Sequence, residues 1–277
     1  MFKTFTLAAL LAVSAWVALP THVHAAAKCE RLIATGSAEF PPYVWRDPHN
    51  PERLMGVTVE LLKQLGQELG IEIDVIYTGP WSRALDEVRT GRVDMLAGAY
   101  LTLDRLEQMD FIHPPAVITD NVLWVPADSE LVYEGWSDLT GLKGDKLLGN
   151  SLGQSFDEYA QDNLSLEEVA SITQAFQKLL HNRTDYVIYG RQPGEAFAHS
   201  IGSADELKAL APAVSYEGLY LTVSHKSACN NAWLRGQLAR KMTKLLSAGV
   251  PEQLLQSNQQ VWKSQQAPSD AAGELNQ

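Results

Sequence analysis

The sequence predicts an α/β protein with two lobes that are joined by two crossing chain segments. Strand and helix patterns alternate over residues 31–99, and they alternate again from residue 146. Two extended apolar segments, residues 117–125 and 219–224, separate the two halves, and the chain then ends in helical patterns. A chain that leaves one lobe and later returns to it leaves a cleft between the lobes. A hinge motion can close such a cleft on a ligand.

The N-terminus has the features of a signal peptide over residues 1–27. Lys3 supplies a positive charge, an apolar stretch follows it, and the small residues at 25–27 suit cleavage. The apolar stretch is too short to span a membrane, so we expect export to the periplasm. Cys29 follows closely, but the bulky, charged Lys28 before it disfavours lipidation.

The charge balance is strongly acidic. The chain has 22 basic and 33 acidic residues and a net charge of −11, and loss of Lys3 makes the mature chain one unit more negative. This balance suits an exported monomer and excludes nucleic acid as a partner. The histidines show no metal-ligand spacing, so we expect neither a metal nor a cofactor.

The two cysteines, Cys29 and Cys229, lie near opposite ends of the mature chain. In an oxidising compartment we expect a disulfide between them, which would tie the start of the fold to a late segment. Two free buried thiols are the alternative.

The first half reads as a βαβαβ unit with a parallel sheet. Its strands are short apolar or alternating segments, and each of its helices has apolar positions at helical spacing and ends at a glycine. In chain order the elements are strand 31–35, helix 57–69, strand 71–77, helix 81–90 and strand 93–99.

The second half repeats the alternation and then becomes helical. Its predicted elements are strand 146–150, a turn at 153–155, a helix to residue 163, helix 173–182, strand 185–189, and helices 231–248 and 251–263. Residues 264–277 are polar and low in complexity, so we expect a flexible tail.

Cationic and aromatic side chains collect where the first-lobe strands end. Trp81 and Arg83 open a helix, and Tyr100 and Arg105 follow the buried strand. Open α/β sheets bind small ligands at the carboxyl ends of their strands. A guanidinium group binds a carboxylate with two parallel hydrogen bonds, and aromatic faces cover flat or apolar ligand parts. Gly98 leaves its backbone amide open to a ligand.

The order of the motifs resembles the periplasmic solute-binding proteins of the amino-acid type, family 3, of ABC transporters. The motifs are the signal peptide, EFPPY at 39–43, GVTVE at 56–60, GRVDM at 91–95, LTLDR at 101–105, Asp110-Phe111 before two prolines, and the segment 138–144. The resemblance covers roughly residues 30–263. It implies a type II periplasmic-binding fold, with two mixed sheets flanked by helices and two hinge strands. Lobe 1 would comprise residues 28–120 and 220–263, and lobe 2 residues 121–219.

The resemblance also implies roles for single residues. Phe40 and Trp81 would stack on the ligand, Arg105 would bind its carboxylate, and Ser155 would add a hydroxyl group. Tyr189 is a further cleft candidate. Structural alternatives exist: Arg105 could pair with Asp104 or Asp110, Arg83 with Glu87, and Ser155 could cap its helix.

Two positions depart from the family pattern. Tyr100 stands where typical members carry Ser or Thr, and Gly190, followed by Arg191, stands where an acid holds the ligand ammonium. Arg83 adds a cation near the cleft. We therefore expect a small, polar, carboxylate-bearing solute, which is an amino acid or a related organic acid.

The resemblance implies a non-enzymatic protein that delivers its solute to an ABC permease in the inner membrane. One alternative is a periplasmic enzyme similar to cyclohexadienyl dehydratases, with Glu39 or Glu195 as the general acid. The other is an accessory protein that senses a ligand without importing it.

Overall fold

The structure, a computed structural model, describes residues 29–266. The predicted signal peptide and most of the predicted tail lie outside this range. The strands are β1 (Arg31–Thr35), β2 (Glu39–Phe40), β3 (Val44–Arg46), β4 (Leu54–Met55), β5 (Glu72–Val75), β6 (Met95–Ala99), β7 (Met109–Pro126), β8 (Lys143–Leu147), β9 (Ser165–Val169), β10 (Tyr186–Gly190), β11 (Leu207–Ala209) and β12 (Ser215–Ser224).

The helices flank these strands, and within residues 29–266 none is long and apolar enough to cross a membrane. They are α1 (Val57–Leu69), α2 (Trp81–Thr90), α3 (Leu103–Leu106), α4 (Gln154–Asn163), α5 (Ile172–Leu180), α6 (Arg191–Ser200), α7 (Ala232–Ser247) and α8 (Val250–Gln266). A 3-10 turn covers Trp136–Leu139.

A mixed sheet runs through both lobes in the order β5-β1-β6-β12-β7-β10-β8-β9, with β11 paired to β7. The strands β5, β1 and β6 are parallel, as the βαβαβ pattern predicts, and so are β10, β8 and β9. The long strands β7 and β12 are antiparallel to each other and join the two parallel sets. The two predicted sheets are therefore hydrogen-bonded into one. The lobe boundaries assigned from the sequence stay a prediction.

The crossing strands are longer than the sequence indicates. β7 continues through Pro114 and Pro115, where the sequence pattern predicts a break. The pairing of β7 with β12 shifts in register between Leu219 and Leu221, opposite these prolines. Proline has no N–H to donate, so it fits a strand where the ladder is interrupted. The segment is therefore one strand with an irregularity in its pairing, and it contains no turn.

The first-lobe helices follow their sequence patterns. α1 buries Leu61, Leu62 and Leu65, and it ends at Gly70, which adopts a left-handed conformation. Only glycine takes that conformation without a steric cost, so the residue fixes the helix end.

The second lobe holds a helix that the sequence patterns did not indicate. Pro193 and Gly194 obscure α6, but both residues fit its first turn. Proline is tolerated there because its missing N–H has no partner within the helix. A Cβ at residue 194 would lie 2.3 Å from the ring of Trp124, so glycine allows α6 to pack closely on β7.

The chain ends are tied to the fold. Cys29 and Cys229 form the expected disulfide, with 5.4 Å between their Cα atoms. The sulfur of Cys29 is therefore not available for lipidation. α8 extends to Gln266, so the first three residues assigned to the flexible tail are helical.

Candidate functional site

An inner cavity of about 30 Å³ lies where β6, β8 and β10 end. That volume is close to the share of one water molecule, so the inner cavity as it stands is too small for a larger solute. The sequence candidates in its wall are Phe40, Trp81, Gly98, Tyr100, Arg105 and Tyr189, and the other lining residues are Ser37, Val44, Ala99, Leu147, Asn150 and Leu219.

Arg105 is the buried cation of the inner cavity. Its side chain sits in α3, whose first turn is capped by the hydroxyl of Thr102. Nη1 donates to the carbonyl oxygen of Tyr100 at 2.8 Å, and Nη2 donates across the cleft to that of Gly149 at 3.2 Å. Arg105 is only 7% exposed. Among the described residues it has no carboxylate within 4.0 Å, so its charge is solvated by carbonyl dipoles alone.

Burial lowers the pKa of Arg105 to about 10, although the nearby Asp157 opposes the effect. The guanidinium still carries its charge at neutral pH. An uncompensated buried charge is costly, and an anionic ligand would offset that cost.

Trp81 makes a second contact between the lobes. Its indole Nε1 donates to the same carbonyl oxygen of Gly149 at 3.1 Å, and the guanidinium of Arg105 lies 5.5 Å from its ring centre. The first residue of α2 and the end of β8 are thereby held together. The carbonyl oxygen of Gly149 thus accepts hydrogen bonds from both Trp81 and Arg105.

A group of aromatic rings fills the centre of the cleft. The ring of Phe40 lies 5.4 Å from that of Tyr43, 5.8 Å from that of Tyr189 and 6.4 Å from that of Tyr100. The latter two contacts are edge-to-face, an arrangement favoured by the ring quadrupoles. The Tyr189 hydroxyl donates to the carbonyl oxygen of Glu39, which fixes β10 against β2.

Tyr100 occupies the position where family members carry a small hydroxyl residue. Its hydroxyl lies 2.7 Å from the hydroxyl of Thr119 and donates to the side-chain oxygen of Asn121 at 3.3 Å. Burial raises its pKa, so the phenol stays neutral. The hydroxyl is therefore hydrogen-bonded to side chains of strand β7.

Gly190 has the rings of Phe40 and Pro193 beside it, at the position where the family pattern places an acid. A Cβ at this position would lie 3.2 Å from the ring of Phe40, so the ring takes part of the space that an acidic side chain would need. Arg191, the next residue, pairs with Asp120 at 2.6 Å. That pair joins α6 to β7.

The remaining candidates, Arg83 and Ser155, do not line the inner cavity. Arg83 is 62% exposed in its side chain and pairs with Glu87 at 2.9 Å, which is the structural alternative given by its sequence spacing. Ser155 is exposed on the first turn of α4. The second lobe approaches Arg105 through the carbonyl of Gly149 instead.

Several lining residues were not found from the sequence. Ser37 and Asn150 follow the ends of β1 and β8, so the strand-end rule that identified Arg105 could also have identified them. Leu219 reaches the cavity from β12, where its side chain lies 3.1 Å from the Cβ position of Gly98. The position of Leu219 in the cavity depends on how β12 pairs with β6 and β7. The residues around Leu219 in the sequence do not indicate that pairing.

The profile of the bacterial extracellular solute-binding proteins, family 3, matches residues 32–256. The chain belongs to this family. The resemblance read from the motifs is thus confirmed. Family 3 proteins bind small solutes, and a search of curated protein sequences finds no significant match for this member.

Solved structures agree on the fold. A mutant of ArgBP from T. maritima is 21% identical, with a TM-score of 0.68 over 84% of this chain and 95% of that one. A histidine kinase sensor domain with similarity to periplasmic binding proteins is 22% identical, with a TM-score of 0.69 over 85% and 96%. An ancestral amino acid-binding protein, a precursor of cyclohexadienyl dehydratase, is 18% identical, with a TM-score of 0.64 over 82% and 94%. The two-lobed periplasmic-binding-protein fold is therefore confirmed.

Proposed function

We propose that this protein is a periplasmic, non-enzymatic solute-binding protein that closes on a small carboxylate-bearing solute and delivers it to an ABC permease. The family supports the binding role, and its members are typically periplasmic. The observation that carries the choice of solute is the buried guanidinium of Arg105, which has no carboxylate partner among the described residues.

Arg105 has donors to spare for a ligand. A guanidinium group has five N–H donors, and two of the donors of Arg105 contact backbone carbonyls. A carboxylate that replaced the Gly149 carbonyl would gain two parallel charge-assisted hydrogen bonds. It would also compensate the buried charge. A neutral solute would do neither.

Entry of the solute requires the lobes to separate. The closed inner cavity is too small for an amino acid, and the bonds to Gly149 hold it closed. The long strands β7 and β12 are the hinge in this proposal. Closure then excludes water, which strengthens the charged hydrogen bonds to the ligand.

A thermal-shift screen of the mature protein tests the proposal. Its ligands are amino acids, keto acids, dicarboxylic acids, aromatic acids and polyamines. A ligand present at a hundred times its Kd stabilises the native state by about 2.7 kcal/mol, which is easily detected. We expect carboxylates to give the shift and polyamines to give none.

Two arginine variants locate the binding site. Arg105→Gln removes the charge inside the cavity and should weaken carboxylate binding about 10- to 100-fold. Arg83→Gln changes the exposed arginine of the same lobe and should leave affinity unchanged. Equal affinity of both variants and the wild type would contradict the proposed role of Arg105.

Import has its own test. Deletion of the gene should abolish uptake of the identified solute by intact cells, and restoring the wild-type gene should restore it. Unchanged uptake would favour the sensing alternative, which the similarity to a sensor domain also raises.

The enzyme alternative keeps one supporting observation. Glu39 is half-buried and Glu195 is exposed, and desolvation raises the pKa of each carboxyl group above 4.5, as suits a general acid. Release of the carboxyl group of prephenate as carbon dioxide by the purified protein would establish this activity. We expect none.

A further inference from the structure

A second, larger cavity adjoins the inner one at the mouth of the cleft. Its volume is about 550 Å³, which is in the range of small-molecule sites. It shares Ser37, Trp81 and Leu147 with the inner cavity. Its other walls include Tyr77, Phe197 and Trp262, so aromatic side chains form part of its lining.

Glu39 places a carboxylate in the wall of this outer cavity. Oε2 accepts a hydrogen bond of 3.4 Å from the amide of Ile172, and no Lys, Arg or His side chain among residues 29–266 lies within 4.0 Å of the carboxylate. Desolvation raises its pKa. The outer cavity thus has a half-buried acid without a cationic partner.

The arginine in the same wall does not neutralise Glu39. The guanidinium of Arg46 lies 4.2 Å from the ring centre of Tyr77, and its Nε donates to the carbonyl oxygen of Pro51 at 2.7 Å. Both contacts hold it on the first-lobe side of the cavity. A cation that enters from solvent would be the partner of Glu39.

The two cavities therefore offer complementary charges along one path. Arg105 lies in the inner cavity and Glu39 in the outer one, with Trp81 in the wall of both. The position at which the family pattern places an acid for the α-ammonium group is residue 190, which is glycine here and has the rings of Phe40 and Pro193 beside it.

We propose that the solute carries its carboxylate at one end and an amine or guanidine cation at the other, without an α-amino group. Its carboxylate binds Arg105, and its cation lies against Glu39 and the aromatic wall of the outer cavity. The ligand class is thus an ω-amino or ω-guanidino acid. This inference rests on the proposed function, because it uses Arg105 as the carboxylate site.

Calorimetric titration with unbranched ω-amino acids, from γ-aminobutyrate to ε-aminocaproate, tests the inference. Each compound is compared with the fatty acid of the same chain length and with the corresponding α,ω-diamino acid. We expect one chain length to bind at least about tenfold more tightly than both of its comparison compounds.

Glu39→Gln separates this inference from the proposed function. The substituted amide keeps an oxygen that can accept from Ile172, but it removes the negative charge. We expect the variant to lose about tenfold or more in affinity for the ω-amino acid and nothing for the fatty acid. Glu195→Gln is the control, since it is the same substitution at an acid whose pKa is also raised by desolvation but which lies outside the outer cavity.

The possible results distinguish failure of this inference from failure of the proposed function. Equal binding of ω-amino and fatty acids, no binding of any ω-amino acid, or no effect of Glu39→Gln overturns the inference. If carboxylate binding still depends on Arg105 in those cases, the proposed function stands. If Arg105→Gln binds every carboxylate as well as the wild type does, the proposed function fails too.

Discussion

Two charged side chains of the cleft, Arg105 and Glu39, are wholly or partly buried and form no salt bridge among the described residues. Arg105 is solvated by two carbonyl oxygens, and Glu39 accepts a single hydrogen bond from an amide. Stable folds usually pair or expose such groups, because a lone buried charge costs free energy. Two of them in adjoining cavities are what a ligand with two charged ends would require.

The charge of Glu39 makes the stability of the ligand-free protein depend on pH. Burial raises its pKa in the folded state above 4.5, so the folded state binds its proton more tightly than the unfolded state does. Between these two pKa values the contribution of Glu39 to stability falls as the pH rises. Glu39→Gln should therefore be more stable than the wild type at neutral pH, and the difference should shrink as the pH falls to about 4.5.

Urea denaturation of both proteins across this pH range measures the difference. Glu72→Gln, on the exposed edge strand β5, is the control and should show little change. A difference for Glu39→Gln that stays constant with pH would contradict the description of Glu39 as an uncompensated acid.

Sequence reasoning found some of the side chains that line the inner cavity and missed others. Arg105 and Trp81 could be found because their strand and helix have clear patterns. The choice of Ser155 followed a glycine-serine turn, but that serine faces solvent from the first turn of α4. The backbone carbonyl of Gly149 has no sequence signature, so its two contacts across the cleft could not be predicted.

Among the elements, α8 links the two halves of the molecule. The ring of Trp262 lies 5.7 Å from that of Trp45 in β3 and 5.7 Å from that of Phe197 in α6, and its Nε1 donates to the carbonyl oxygen of Ala196. Gln265 accepts a hydrogen bond of 3.0 Å from the indole of Trp45. The helix therefore contacts both sides of the cleft mouth.

Trp262→Ala should weaken this link and favour the open form. We expect a loss of about 2 kcal/mol in the free energy of unfolding and a larger radius of gyration in X-ray scattering of the ligand-free protein. Trp233→Ala, which alters a 51% exposed tryptophan on α7, should change neither quantity by much. An unchanged radius of gyration in Trp262→Ala would show that α8 does not restrain the lobes.

Elements with strong periodicity were predictable, whereas a proline within an element concealed α6 and part of β7. α1 was predicted with its observed bounds because its apolar face and terminal glycine agree. α6 was missed because Pro193 and Gly194 are common helix breakers, and β7 was interrupted at its prolines for the same reason. In both cases the tolerance comes from packing or pairing partners far away in the sequence, which local patterns do not contain.

For the whole molecule, the disulfide closes a loop with a sequence separation of 200 residues. A cross-link of that span limits the unfolded chain, and its loss typically costs about 2–5 kcal/mol. The double variant Cys29→Ser/Cys229→Ser should therefore unfold at a lower temperature than the oxidised protein. A reducing agent should lower the melting temperature of the wild type but not that of the variant. Equal melting temperatures throughout would mean that the disulfide adds no stability.

The overall architecture follows from how the sequence alternates and then crosses between lobes. The parallel strands bring their carboxyl ends together at the cleft, and the antiparallel pair β7 and β12 connects the two parallel sets. In the proposed function, binding energy is released on closure, when Arg105 and the second lobe contact the same solute.

The most direct test of this account is isothermal titration of the best carboxylate ligand into the wild type, Arg105→Gln and Arg83→Gln. We predict that the wild type and Arg83→Gln bind with the same Kd and that Arg105→Gln binds about 10- to 100-fold more weakly. Equal binding by all three proteins would contradict the account, because the buried guanidinium would then not be the site of the carboxylate.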